Sequence, residues 1–111
     1  MSERADASGQ GALIWCPFPD EASALAVIDT LLDEGLVACG NVLPAMTSRF
    51  VWNGMKDQAA EKGVLFKTRA ALLESAVARI SALHPYETPA VLGWRCDAAT
   101  PATLAWLNSL G

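Results

Sequence analysis

The sequence is short of basic charge, of histidine and of long apolar runs, and each shortage excludes something. Eight lysines and arginines stand against twelve acids, a net charge of -4. A nucleic-acid binder needs a basic face, so no nucleic-acid partner is expected. No apolar run nears the ~20 residues of a membrane-spanning helix, so no membrane partner is expected either. Residues 1–10 place no apolar stretch behind their charges, so they do not form an export signal. They read as a solvated, disordered tail, and the protein is expected to be cytoplasmic. The three cysteines, Cys16, Cys39 and Cys96, form no CxxC pair and are odd in number, which suits reduced thiols. No Walker A, GxSxG, HExxH or Rossmann glycine pattern occurs, nor a carboxylate loop for calcium. No nucleophile–base–orienter set is visible, so neither an enzymatic activity nor an organic cofactor is expected.

What is present is enough apolar residue for a core. With 111 residues, 52% hydrophobic and 18% charged, the chain suits one domain over residues 11–111 rather than disorder. Ala12 to Cys16 reads as a strand stopped by Pro17. Asp20 is an N-cap, and Ala24, Leu25, Ile28, Leu31 and Leu32 follow at helical spacing up to Gly35. Leu36 to Leu43 is a second strand, bent at Pro44 and continued in extended form by Met46 to Trp52. Asn53-Gly54 supplies the two positive-φ positions of a tight hairpin, and Met55 to Thr68 returns. Leu72 to Leu83 repeats the helical pattern and stops before Pro85. Ala90 to Cys96 is a fourth strand. Thr100-Pro101 opens a short C-terminal helix.

The order strand, helix, strand, strand, helix, strand predicts an α+β, ferredoxin-like fold (split βαβ, or βαββαβ), with two helices on one face of an antiparallel sheet. One sheet face and the edges of a long hairpin are then left uncovered. Self-association is the simplest way to cover them.

Few residues remain for chemistry. The only histidine, His84, lies in HPYETP at a helix end. Two readings stand for it: a C-terminal helix cap, or a soft-metal ligand or acid–base group. Two also stand for Cys16 and Cys39: small buried hydrophobes, or a thiolate pair that with an imidazole would favour Cu(I) or Zn(II). Glu61 and Lys67 are six residues apart on one strand and share a face by its period of two. With Tyr86 they form either a subunit contact or a small polar cleft, to which Trp52 is a candidate neighbour.

In order, CPFPDEASA (Cys16–Ala24), GLVACGNVLP (Gly35–Pro44), SRFVWNG (Ser48–Gly54), EKGVLFKT (Glu61–Thr68), HPYETP (His84–Pro89) and LAWL (Leu104–Leu107) resemble the CutA divalent-cation tolerance proteins. The likeness runs from about Ala12 to Leu110. Phe50, Ala90 and Thr103 depart from it, since the family usually carries Tyr, an acid and Tyr there. The resemblance implies a tight homotrimer with the hairpin pairing between subunits, and a role in metal tolerance and homeostasis. It also implies copper, with zinc second, bound through positions matching Cys16, Cys39 and His84. The architecture is similar to that of the PII signalling proteins as well. That implies an alternative: a trimeric signalling or scaffold protein whose inter-subunit clefts, lined here by Glu61, Lys67, Tyr86 and Trp52, take a small ligand or a protein partner.

Overall fold

The computed structural model describes residues 9–110. Strand β1 (Gly11–Phe18) leads through helix α1 (Glu21–Asp33) to β2 (Cys39–Trp52), and a tight turn returns the chain as β3 (Met55–Arg69). A 3-10 turn at Ala70–Leu72 feeds helix α2 (Leu73–Leu83), then β4 (Leu92–Arg95) and helix α3 (Pro101–Asn108). The four strands form one sheet in the order β2-β3-β1-β4, with every neighbouring pair antiparallel. The α+β element order read from the sequence is the one observed. No helix among the described residues is long and apolar enough to cross a membrane.

Local signals explain most boundaries. The Asp20 carboxylate accepts the Ser23 backbone N–H at 2.8 Å and starts α1. Gly35, at φ 71, ends it, and Leu36 N–H returns to Leu31 O at 2.9 Å. The Thr100 hydroxyl caps α3, with Pro101 at its first position.

Four boundaries differ from the sequence reading. Strand β1 does not stop at Cys16 but runs through Pro17 to Phe18. Its pairing with β4 covers only Ala12 to Trp15, so Pro17 lies where one side of the strand has no neighbour and a missing N–H costs no ladder bond there. Strand β2 is one strand rather than two, because a register shift between Val42 and Ala45 absorbs Leu43 and Pro44 as a bulge. Strand β4 is four residues long, not seven. Of the tail expected over residues 1–10, residues 1–8 lie outside the described residues. Gly9 and Gln10 are tied down: Asn108 Nδ2 donates to Gly9 O at 3.1 Å and Gln10 Nε2 to Cys96 O at 3.2 Å.

Alternation divides the sheet into two faces. Ile14, Cys16 and Phe18 of β1 and Val64, Phe66 and Thr68 of β3 point at the helices and are fully buried. Leu31 and Ile80 close the core from α1 and α2. The buried Thr68 hydroxyl donates to Leu36 O at 2.8 Å. The other face carries Leu13, Trp15, Leu65, Leu92 and Trp94. Helix α3 covers only the Gly11 end of it, where a Cβ on Gly11 would lie 2.9 Å from Leu107 Cδ1. Beyond the last β1–β3 pair, Phe18 with Lys62, the hairpin projects as a two-stranded ribbon.

Candidate functional site

The polar chemistry of the chain gathers where β1 ends and α2 stops. Helix α2 closes with His84 N–H on Ile80 O at 2.9 Å, and extended backbone at His84 then turns the chain toward β1. The imidazole stacks on Phe18 with ring centroids 4.4 Å apart. Its Nε2 meets Pro17 O at 2.8 Å, and its Nδ1 accepts the Tyr86 backbone N–H at 3.1 Å. Since Nδ1 accepts, Nε2 is the nitrogen that donates, and the ring is the neutral Nε2–H tautomer. His84 therefore does more than end a helix: it bridges β1 to the HPYETP segment.

Cys16 uses the same carbonyl. Its sulfur is fully buried and donates to Pro17 O at 3.6 Å. Burial, with the nearby Glu61 charge adding to it, pushes the thiol up to about 12. The thiolate is thus disfavoured, and the S–H bonds to a carbonyl rather than to the imidazole. Tyr86 completes the group. Its hydroxyl donates to Glu61 Oε2 at 2.7 Å, and burial followed by that bond raises the phenol to about 12. Glu61 is itself only 9% exposed.

Cys39 lies elsewhere. It is opposite Lys67 on β3, whereas Cys16 is opposite Val64, so the two thiols sit on opposite sheet faces. Cys39 is half-buried, with its S–H 3.5 Å from Asn41 Oδ1. One chain therefore brings Cys16 and His84 together but leaves Cys39 apart. With both His84 nitrogens engaged and the Cys16 thiol held neutral, the three do not fit a single metal centre within one chain. Among the described residues no three His, Cys, Asp or Glu side chains converge as ligands.

The expected cleft is likewise spread along β3. Glu61 and Tyr86 touch. Lys67 is six residues from Glu61 in one direction, ~20 Å along the strand, and Trp52, opposite Met55, is about as far in the other. Within one chain these four residues line no common cavity.

Two partners in the group were missed from sequence. Phe18 continues the Ile14, Cys16 alternation, so its place beside Cys16 and His84 was readable. The Pro17 carbonyl, shared by both, leaves no trace in residue type.

An antiparallel sheet backed by two helices, with a third helix across its other face, is a frame shared with known proteins. Residues 12–110 match the family described as CutA1 divalent ion tolerance protein. The divalent-cation tolerance protein CutA of Pyrococcus horikoshii is 38% identical over 95 residues, 86% of this chain and 92% of that protein. The protein of the same name from Yersinia pestis (strain Pestoides F) is 35% identical over 97 residues, 87% of this chain and 82% of that one. In three dimensions, the crystal structure of CutA from Xylella fastidiosa superimposes with a TM-score of 0.86 at 33% identity, covering 90% of this chain and 96% of that chain. The chain belongs to the CutA1 divalent ion tolerance family.

Proposed function

We propose that this chain serves divalent-cation tolerance and homeostasis in the cytoplasm, as a homotrimer of ferredoxin-like subunits that binds a soft metal ion. The observation that carries the tolerance reading is the family match across residues 12–110. The strand order β2-β3-β1-β4 supports the ferredoxin-like description. The uncovered Leu13, Trp15, Leu92 and Trp94 face and the projecting hairpin support self-association. Three free thiols are what a reducing compartment preserves.

The metal in this reading is copper before zinc, because sulfur is the donor on offer. Cys39, half-exposed on the uncovered face, is the thiol open to an incoming ion, and donors from a second subunit complete its coordination. Competition for Cu(I) between chelators and the wild type, Cys16→Ser, Cys39→Ser and His84→Ala tests this. Cys39→Ser is expected to lose at least tenfold in affinity, with smaller changes in the other two. Equal binding by all four proteins would remove the soft-metal part of the reading.

A PII-like signalling or scaffold role is the second reading. The Tyr86–Glu61 bond at the base of the projecting hairpin favours it, since a neighbouring subunit there would bring a further wall to the cleft. Ligand binding that needs Glu61, Tyr86 and Lys67 but neither Cys16 nor Cys39 would put this reading first.

A further inference from the structure

A second polar pair lies away from all of these residues, on the helix side of the sheet. Strand β3 ends at Arg69, opposite Gly11, so α2 begins at that end of the sheet. Arg95 is opposite Ala12, so β4 finishes at the same end. Between α2 and β4 runs a shallow groove of about 360 Å³, lined by Leu73, Glu74, Val77, Ala78, Gly93 and Arg95. Its shape follows from the sequence. Glu74, Val77 and Ala78 fall at i, i+3 and i+4 and make one stripe of α2. Gly93 and Arg95 are two apart on β4 and share a face. Gly93 has no side chain to fill the gap, and a Cβ there would lie 2.8 Å from Leu73 Cδ1 and 3.3 Å from Val77 Cγ2.

The groove therefore has an apolar floor and, at one end, a carboxylate and a guanidinium. Among the described residues neither Glu74 nor Arg95 forms an ion pair, whereas Glu34 is paired with Arg79 and Glu21 with Lys62. The volume falls in the range of small-molecule sites. Two unpaired charges of opposite sign, close together at the mouth of an apolar trough, match a zwitterion with an apolar tail.

We propose that this groove binds a free α-amino acid with a branched aliphatic side chain. Its carboxylate lies on the Arg95 guanidinium, which suits planar carboxylate recognition. Its ammonium lies on the Glu74 carboxylate, and its side chain rests on Leu73, Val77 and Ala78. The site shares no residue with the Cys16, Tyr86 and Glu61 group and does not depend on metal binding.

The test is a titration of the whole protein with L-leucine, followed by the amide NMR signals of Val77 and Gly93. Saturable shifts with a millimolar dissociation constant are expected, the range for a small ligand with few polar contacts. Isocaproate, which lacks the ammonium, and isopentylamine, which lacks the carboxylate, should each bind about tenfold more weakly. Glu74→Gln and Arg95→Gln should weaken L-leucine by a similar factor. Ala78→Trp, at an exposed helix position, should fill the trough and abolish the shifts while leaving the melting temperature near that of wild type. Absence of shifts up to the solubility limit of L-leucine would overturn the proposal. So would isocaproate binding as well as L-leucine, or binding unaffected by Ala78→Trp.

Discussion

Cys16 and Cys39 stand on opposite faces of one sheet, with β3 between them. Their partners on β3, Val64 and Lys67, are three residues apart, an odd number, so alternation sends the two thiols opposite ways. Cys16 is fully buried and its thiol is held at about 12, while Cys39 is half-exposed. An aromatic disulfide reagent should therefore modify Cys39 in the folded protein and reach Cys16 only on unfolding. Cys16→Ser, which puts a hydroxyl into the core, should cost about 1–3 kcal/mol, and Cys39→Ser less than about 0.5 kcal/mol. Mass spectrometry of the labelled peptides and urea melts of the two variants check both parts. Fast labelling of Cys16 in the folded protein would contradict the packing described.

The raised thiol and phenol set the alkaline limit of stability. Cys16 moves from 9.0 to about 12 and Tyr86 from 10.0 to about 12. In both, the folded state holds the proton more tightly than the unfolded chain does. The stability each contributes is thus complete below its ordinary value and is lost as pH rises through the folded value. Unfolding free energy should fall between pH 9.0 and about 12. Cys16→Ala should flatten that fall from its start, and Tyr86→Phe only above pH 10.0. Urea melts across this range distinguish the two, and an unchanged slope in both variants would count against the assignment.

Period and punctuation made the fold legible. The helical stripes of α1 and α2, the Asp20 and Thr100 caps, and Gly35 each mark a boundary that the structure keeps. The site was less so. His84, Tyr86 and Glu61 were visible as unusual polar residues, but hydrogen bonds to the Pro17 carbonyl and between Tyr86 and Glu61 depend on how α2 crosses β1. No local pattern encodes that crossing. The face occupied by Cys39 depends on the β2–β3 register, and that in turn on the bulge at Leu43 and Pro44. Residue types name Pro44 as a disturbance without saying that the strand passes through it.

The turn at Asn53-Gly54 carries its own prediction. Asn53 has φ 52 and Gly54 φ 78, the paired left-handed conformations that the dipeptide led one to expect. A Cβ on Gly54 would meet nothing within 4 Å, so the penalty of a side chain there is one of backbone conformation alone. Gly54→Val should lower stability by about 1 kcal/mol or more, and Gly54→Asn by less, since asparagine tolerates this region better than a β-branched residue. Thermal melts of the two variants give the order. A Gly54→Val protein that melts with wild type would show that the turn relaxes at no cost.

The uncovered surface leads to the last prediction. Leu92 is 63% exposed and Trp94 46%, on the sheet face opposite α1 and α2, while Val51 and Met55 at the hairpin end are 66% and 72% exposed. Monomeric proteins seldom leave contiguous apolar surface of this kind beside unpaired strand edges. A closed ring of three copies would bury both features with one repeated contact, because the face and the hairpin of each chain can engage different neighbours. Light scattering at micromolar concentration should return three times the chain mass of 11.7 kDa. Trp94→Lys and Val51→Lys place a charge on each surface in turn without touching the core of one chain. Each should shift the mass toward that of the single chain, with helix content retained by circular dichroism. A wild-type protein that scatters as a monomer would remove the basis for any site built between subunits, and with it the coordination proposed for Cys39.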